Sequence, residues 1–193
     1  MSAYNLILKR RTIRRFQCKP VPYQILEKCT NAARVAPSGA NLQPLEFIIV
    51  DRTDLFEEVF GALEWAGYLD GWKPSKEERP VSYIIVISNK SINPGSRYDV
   101  GMAVENILLT ALEEGLGGCC IGSINKNKIR DTLNIPENYS IELVVALGYP
   151  AEESKIEEFR DSVRYWRDEK GIMHVPKRRL DSILHRNSYG GAL

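Results

Sequence analysis

Two periods of apolar residues alternate along the chain. Over residues 21–35, Ile25, Leu26, Cys29, Ala32 and Ala33 share one face at helical spacing. Pro22 sits near the start of that stretch, and Ala36-Pro37-Ser38-Gly39 ends it. Residues 54–68 repeat the pattern through Leu55, Phe56, Val59, Phe60 and Leu63, with Asp54 as the expected N-cap. A longer helix opens at Asp99, expected as its N-cap. It turns Met102, Ala103, Ile107, Leu108, Ala111 and Leu112 inward and stops at Gly115 and Gly117. Shorter helices are expected over 5–11, where the basic end suits a helix C-terminus, and over 126–133. Between them, residues 46–51, 82–88, 118–122 and 142–149 are short apolar runs that read as buried strands. Residues 71–80 form a polar connector.

The tail has another character. Residues 152–161 are charged, and helix is expected there. Segments 163–167 and 172–175 flank Asp168-Glu169-Lys170-Gly171, a sequence suited to a hairpin turn. Residues 181–193 suggest an arm that packs on a partner subunit. Helices and strands mixed through one chain predict a single domain over 1–193 with helices covering a sheet, α/β or α+β, and with 151–193 as an extension.

Composition narrows the possibilities. The 193 residues are 44% hydrophobic and 26% charged, which argues against disorder and against a disulfide-stapled miniprotein. Lys and Arg number 26 against 25 Asp and Glu, a net charge of +1 that gives no bulk attraction to nucleic acid or anionic membrane. A basic-patch binding module is disfavoured on that ground. No apolar run approaches the roughly 20 residues of a bilayer span, and the N-terminal residues lack the pattern of a signal peptide. Cys18, Cys29, Cys119 and Cys120 show no CxxC spacing, and His174 and His185 are the only histidines, so no metal site is expected. Adjacent Cys119 and Cys120 could form a strained redox-active bridge, but their neighbours Gly118 and Ile121 favour structural residues of a buried strand. A reducing cytoplasm fits this usage.

Against this neutral background, Arg10-Arg11-Thr12-Ile13-Arg14-Arg15 concentrates four arginines in six positions. Planar guanidinium forks and a hydroxyl suit bidentate contact with phosphate, and a solvated basic helix end is the plainer alternative. Lys177-Arg178-Arg179 is a second basic cluster. In the loop 36–44, Ser38, Asn41 and Gln43 offer donors and acceptors to the edge of a planar heterocycle, or else merely cap a helix. Asp99, Glu105 and Asn106 are polar positions on a helix that is otherwise core. Trp65, Tyr68 and Trp72 fall at roughly helical spacing and favour core or dimer contact over a lid. His174 and His185 have no nucleophile elbow, and GxGxxG and Walker A patterns are absent.

In order, RRTIRRF (10–16), APSGANLQP (36–44), YDVGMAVENILLTALEEGLGGCCIG (98–122), IRDTLNIPENYSIELVVALGYPAEE (129–153) and VPKRRL (175–180) resemble the nitroreductase family of FMN-dependent oxidoreductases. The resemblance implies an α+β sandwich with a central, mostly antiparallel mixed sheet, and a homodimer with an exchanged C-terminal arm and FMN at the subunit interface. It also implies that Arg10, Arg11, Thr12 and Arg14 hold the phosphate, the ribityl chain or the pyrimidine edge of FMN. Lys177 and Arg179 would complete the phosphate site. Pro37, Ser38, Gly39 and Asn41 would come from the other subunit, and Gly122 and Ser123 would present a backbone N–H to the flavin N5. NAD(P)H would supply hydride, and a small acceptor such as a nitroaromatic or quinone would take it in ping-pong turnover. No catalytic side chain is required, because the cofactor carries the hydride chemistry. Relatives on this fold that dehalogenate, fragment flavin or only carry it are the alternatives. Leu45 stands where the family often has Trp, and the segment 52–81 is short for a region that usually supplies a lid.

Overall fold

The computed structural model describes residues 2–191. Its main sheet joins β1 (Leu45–Val50), β2 (Ser82–Asn89), β3 (Gly117–Ile121) and β4 (Tyr139–Gly148) in the order β1-β2-β4-β3. All three ladders are antiparallel. Beyond β3 the edge is extended by a parallel bridge from Thr12 to Gly118. The result is the expected α+β architecture.

Strand β2 and the second half of β4 are buried on both faces, which explains the apolar runs 83–87 and 144–147. One face packs α2 (Tyr23–Arg34) and α4 (Arg97–Glu113) against Ile84, Val86, Val145 and Leu147. The other packs α3 (Thr53–Phe60) and α5 (Lys126–Leu133) against Tyr83, Ile85, Val144 and Ala146. A short α1 (Ala3–Lys9) precedes the arginine run, capped by Ser2 and offset by two residues from the expected 5–11.

Four expectations are corrected. The helix expected over 54–68 stops at Phe60, because Gly61 caps it and the chain then pairs Leu63 with Ile124. Its N-cap position is Arg52, and Asp54 lies in the first turn. Trp65 therefore leaves the helix and stacks on Phe60 in the core, with ring centroids 5.5 Å apart. Asp99 is not an N-cap either. Ser96 holds that position, and Asp99 is a buried residue of the first turn.

The tail departs most. Residues expected to be helical contain β5 (Ser154–Glu158), which pairs in parallel with β7 (Met173–Lys177). A helix there would bury little besides Ile156 and Phe159, whereas β7 offers backbone partners and propensity yields to them. The expected hairpin is present. β6 (Trp166–Arg167) runs antiparallel to β7, Gly171 takes a φ of +79°, and the Asp168 carboxylate accepts the N–H groups of Lys170 and Ile172. Residues 178–190 are exposed on the single chain, and Ala192 and Leu193 of the expected arm lie outside the described residues.

Gly117 has a packing reason. A Cβ there would lie 2.6 Å from the Ile13 side chain, so the edge segment docks only where β3 lacks a side chain. Gly117→Ala should lower stability by about 1–3 kcal/mol through overpacking. Gly122→Ala, whose Cβ would meet Leu143 at an ordinary 3.5 Å, should change stability far less in the same thermal unfolding series.

Candidate functional site

The arginine run is held along β3 by its backbone. The N–H of Ile13 donates to the Gly118 carbonyl at 3.0 Å, and Ile13 is buried in the core. Glu152 fixes the next two residues. Its side chain is 0% exposed, and one carboxylate oxygen accepts the N–H of Arg14 (2.5 Å) and of Arg15 (3.2 Å). The other oxygen accepts from Arg167 at 2.6 Å.

The arginines leave this segment toward different neighbours. Arg10 donates to Glu105 on α4 at 2.8 Å, and Arg11 donates to the Leu8 carbonyl. Arg15 pairs with Glu78, and the Arg14 guanidinium lies 4.6 Å above the Tyr165 ring. Lys9, Arg10, Arg11 and Lys155 line a cavity of about 320 Å³ together with Glu152 and Glu153, floored by Ile13, Leu108 and Gly118. Burial, and secondarily the charge of Arg10, holds the Arg11 pKa below its ordinary value. Like charges brought together in a partly desolvated place favour an incoming anion.

The loop 36–44 is strained and tied to α4. Ala40, Asn41 and Gln43 all take positive φ values (48°, 55° and 51°), a costly run for residues with side chains. Two bonds hold it. Asp99 Oδ1 accepts the Gly39 N–H and Ser38 Oγ accepts the Gln43 N–H, each at 3.0 Å. Gly122 and Ser123 form the turn leaving β3, where the Ser123 carbonyl accepts the Glu64 N–H. That turn lies at the opposite end of β3 from the Thr12 bridge.

Residues 7–149 match the family model "Nitroreductase family". The chain belongs to that family. An iodotyrosine deiodinase of Thermotoga neapolitana is 32% identical over 168 residues, covering 76% of this chain and 88% of that protein. An NADH dehydrogenase of Thermus thermophilus is 29% identical over 193 residues, covering 79% of this chain and 89% of that protein. Among solved structures, an FMN-dependent nitroreductase of Clostridium difficile is 27% identical with a TM-score of 0.72, covering 96% of this chain and 99% of that one.

The nitroreductase match ends at Tyr149, and the tail builds its own network. Lys177 ends β7, and Arg179 pairs with Asp181 and Glu158. Among the described residues, the side-chain hydrogen bonds and ion pairs of 177–179 stay within the tail. Arg167 instead links the tail to Glu152 and stacks on Trp72 at 4.6 Å, while Tyr165 packs on Tyr68 with centroids 5.0 Å apart. Glu152 and Tyr165 were not singled out from the sequence. A lone Glu in a charged stretch and a Tyr in a predicted hairpin carry no spacing signal.

His174 is structural. Its Nδ1 meets Glu157 at 2.6 Å and its Nε2 meets Asp168 at 3.1 Å, with the ring stacked on Trp166. Both nitrogens face carboxylates, so the imidazolium is the form that satisfies them, and the hydrogen bonds to Asp168 and then Glu157 raise its pKa above 6.5. A raised folded-state pKa gives stability that is complete below the unfolded value and is lost as pH rises through the folded one. Amide protection across β6 and β7 should therefore fall as pH rises from 6 to 9, measured by hydrogen exchange. His174→Gln should remove that dependence.

Proposed function

We propose that this chain is an FMN-dependent oxidoreductase that takes hydride from NAD(P)H and delivers it to a small acceptor such as a nitroaromatic or quinone. The observation that carries this reading is the cavity where Lys9, Arg10, Arg11 and Lys155 outnumber two carboxylates, on a family fold whose solved members include an FMN-dependent enzyme. The residues fit a phosphate monoester. Guanidinium groups and the Thr12 hydroxyl are suitable donors, and an anion would offset the cost of Arg11's partial burial and of its neighbour Arg10.

In this reading Arg10, Arg11 and Thr12 bind the phosphate, and Arg14, oriented by Glu152 and Tyr165, places a cation at the pyrimidine edge of the ring. Lys177 and Arg179 would join the phosphate site. Pro37, Ser38, Gly39 and Asn41 of a second subunit would cover the ring, and the Gly122–Ser123 backbone would donate toward it. Bound FMN supplies two-electron hydride chemistry, so the protein's part is binding, orientation and charge. A homodimer is part of the proposal. Tyr4, Ile7 and Leu8 on α1, Tyr98 and Met102 on α4, and Leu180 and Ile183 in the tail are exposed apolar side chains on the single chain. Among the described residues no helix is long and apolar enough to cross a membrane. A cytoplasmic location is proposed from the four free cysteines.

Reductive dehalogenation is the second reading, favoured by the 32% identity to an iodotyrosine deiodinase. Steady-state NADH and NADPH oxidation with a quinone, a nitroaromatic and an iodotyrosine separates the two. The first reading predicts turnover with quinone or nitroaromatic; iodide release without such turnover would replace it with the second. Arg10→Ala combined with Arg14→Ala should weaken FMN affinity by about a hundredfold or more, given the strength of charge-assisted hydrogen bonds, with the circular dichroism spectrum unchanged. Undiminished flavin binding by that variant would refute the phosphate and ring-edge assignment.

A further inference from the structure

Residues 64–75 connect α3 to the approach of β2 without helix or strand. Two of them, Ala66 and Gly71, take positive φ values of 46° and 66°. At Ala66 that conformation is costly, and it persists only where the surroundings hold the backbone. The connection holds itself slightly. Within it, the Leu69 N–H donates to the Ala66 carbonyl at 2.7 Å and the Trp72 N–H to the Leu69 carbonyl at 2.9 Å.

The tail supplies a stronger grip. Tyr165 and Arg167, two positions apart, meet Tyr68 and Trp72 of the connection. The Tyr165 and Tyr68 rings pack with centroids 5.0 Å apart, and the Arg167 guanidinium lies 4.6 Å from the centre of the Trp72 ring. Arg164 adds a third contact, 5.4 Å above Tyr68. The nitroreductase match ends at Tyr149, so the gripping residues come from outside it. Tyr68 remains 42% exposed, so this grip lies at the surface and can be released without opening the core.

Both ends of the stretch from Glu64 to Tyr68 adjoin groups assigned above to the flavin ring. The Glu64 N–H donates to the Ser123 carbonyl at 3.0 Å. Tyr165, on which Tyr68 packs, carries the Arg14 guanidinium 4.6 Å above its ring. Thr12 pairs in parallel with Gly118, so Arg14 lies further along β3 in the direction of Ser123. The stretch therefore connects the Ser123 turn to the ring that Arg14 covers.

We propose that Tyr165 and Arg167 are positioning residues that latch segment 66–72 against the Arg14 side of the candidate site, and that this latch limits the size of acceptor the site admits. The acceptor role rests on the oxidoreductase reading, and the latch itself does not.

Hydrogen exchange at the Leu69 and Trp72 amides of the full chain as purified reads the latch. Tyr165→Leu should speed both at least about fivefold, the scale of one lost aromatic pair and one lost cation–π contact, and Tyr165→Phe should restore most of the protection. The Glu64 amide, bonded to Ser123 outside the grip, should stay within about twofold of the unaltered protein. Should Tyr165→Leu fail to fold, Tyr68→Leu breaks the same contact from the other side and should give the same exchange pattern. The kcat/KM for 1,4-naphthoquinone relative to 1,4-benzoquinone should rise at least about threefold in the variant with the latch released, a change that a merely structural residue would not produce. Unchanged exchange at Leu69 and Trp72, or equal acceleration at Glu64, would overturn the latch. Faster exchange with an unchanged quinone ratio would overturn the acceptor role. An absence of quinone turnover in the unaltered protein would remove that role together with the oxidoreductase reading, and the exchange result would still decide the latch.

Discussion

The Glu152 carboxylate is the contact on which the arrangement of this molecule turns. A carboxylate with a 0% exposed side chain is costly to desolvate, and it persists because donors surround it. Two of those donors are the consecutive backbone N–H groups of Arg14 and Arg15, and the third is Arg167 from the hairpin. One side chain thereby fastens the N-terminal arginine run to the C-terminal sheet. The charge pair by itself is weak evidence of net stability. Its larger consequence is specificity: with Glu152 in place, the guanidinium of Arg14 and the ring of Tyr165 are brought face to face.

The same device recurs in the loop 36–44. Asp99 is buried in the first turn of α4 and accepts the Gly39 N–H, holding a loop with three consecutive or near-consecutive left-handed residues. A short internal bond within the loop, from the Gln43 N–H to Ser38, completes that hold. Each candidate binding segment, 10–16 and 36–44, is therefore an extended or strained piece of backbone positioned by a buried carboxylate from another element. In the proposed site both segments are loops, held by these tethers to the rigid sheet and to α4.

How far the sequence carried the reading depended on the range of the interaction. The four main strands and α2, α4 and α5 were legible because their apolar residues repeat at the period of the element they form. Arg10, Arg11, Arg14 and Arg15 stood out in the sequence as a concentration of one charge in a neutral chain. What escaped was set by contacts distant in sequence. Strand β5 forms because β7 lies beside it, a partner some twenty residues away that local propensity does not register. Asp99 looked like a helix cap because caps are local, whereas its bond is to Gly39, sixty positions earlier. Glu152 and Tyr165 carry no periodicity or motif, and their roles follow only from the chain's return to its own N-terminal segment.

The most direct test of this account is a double-mutant cycle on Glu152→Gln and Arg167→Met, read by urea unfolding. If Glu152 joins the two ends of the chain as described, the two changes should be strongly non-additive, with a coupling energy of about 1–3 kcal/mol. Hydrogen exchange at the Arg14 and Arg15 amides should rise in both variants that carry Glu152→Gln. Additivity within about 0.5 kcal/mol, with the Arg14 and Arg15 amides as protected as before, would contradict it.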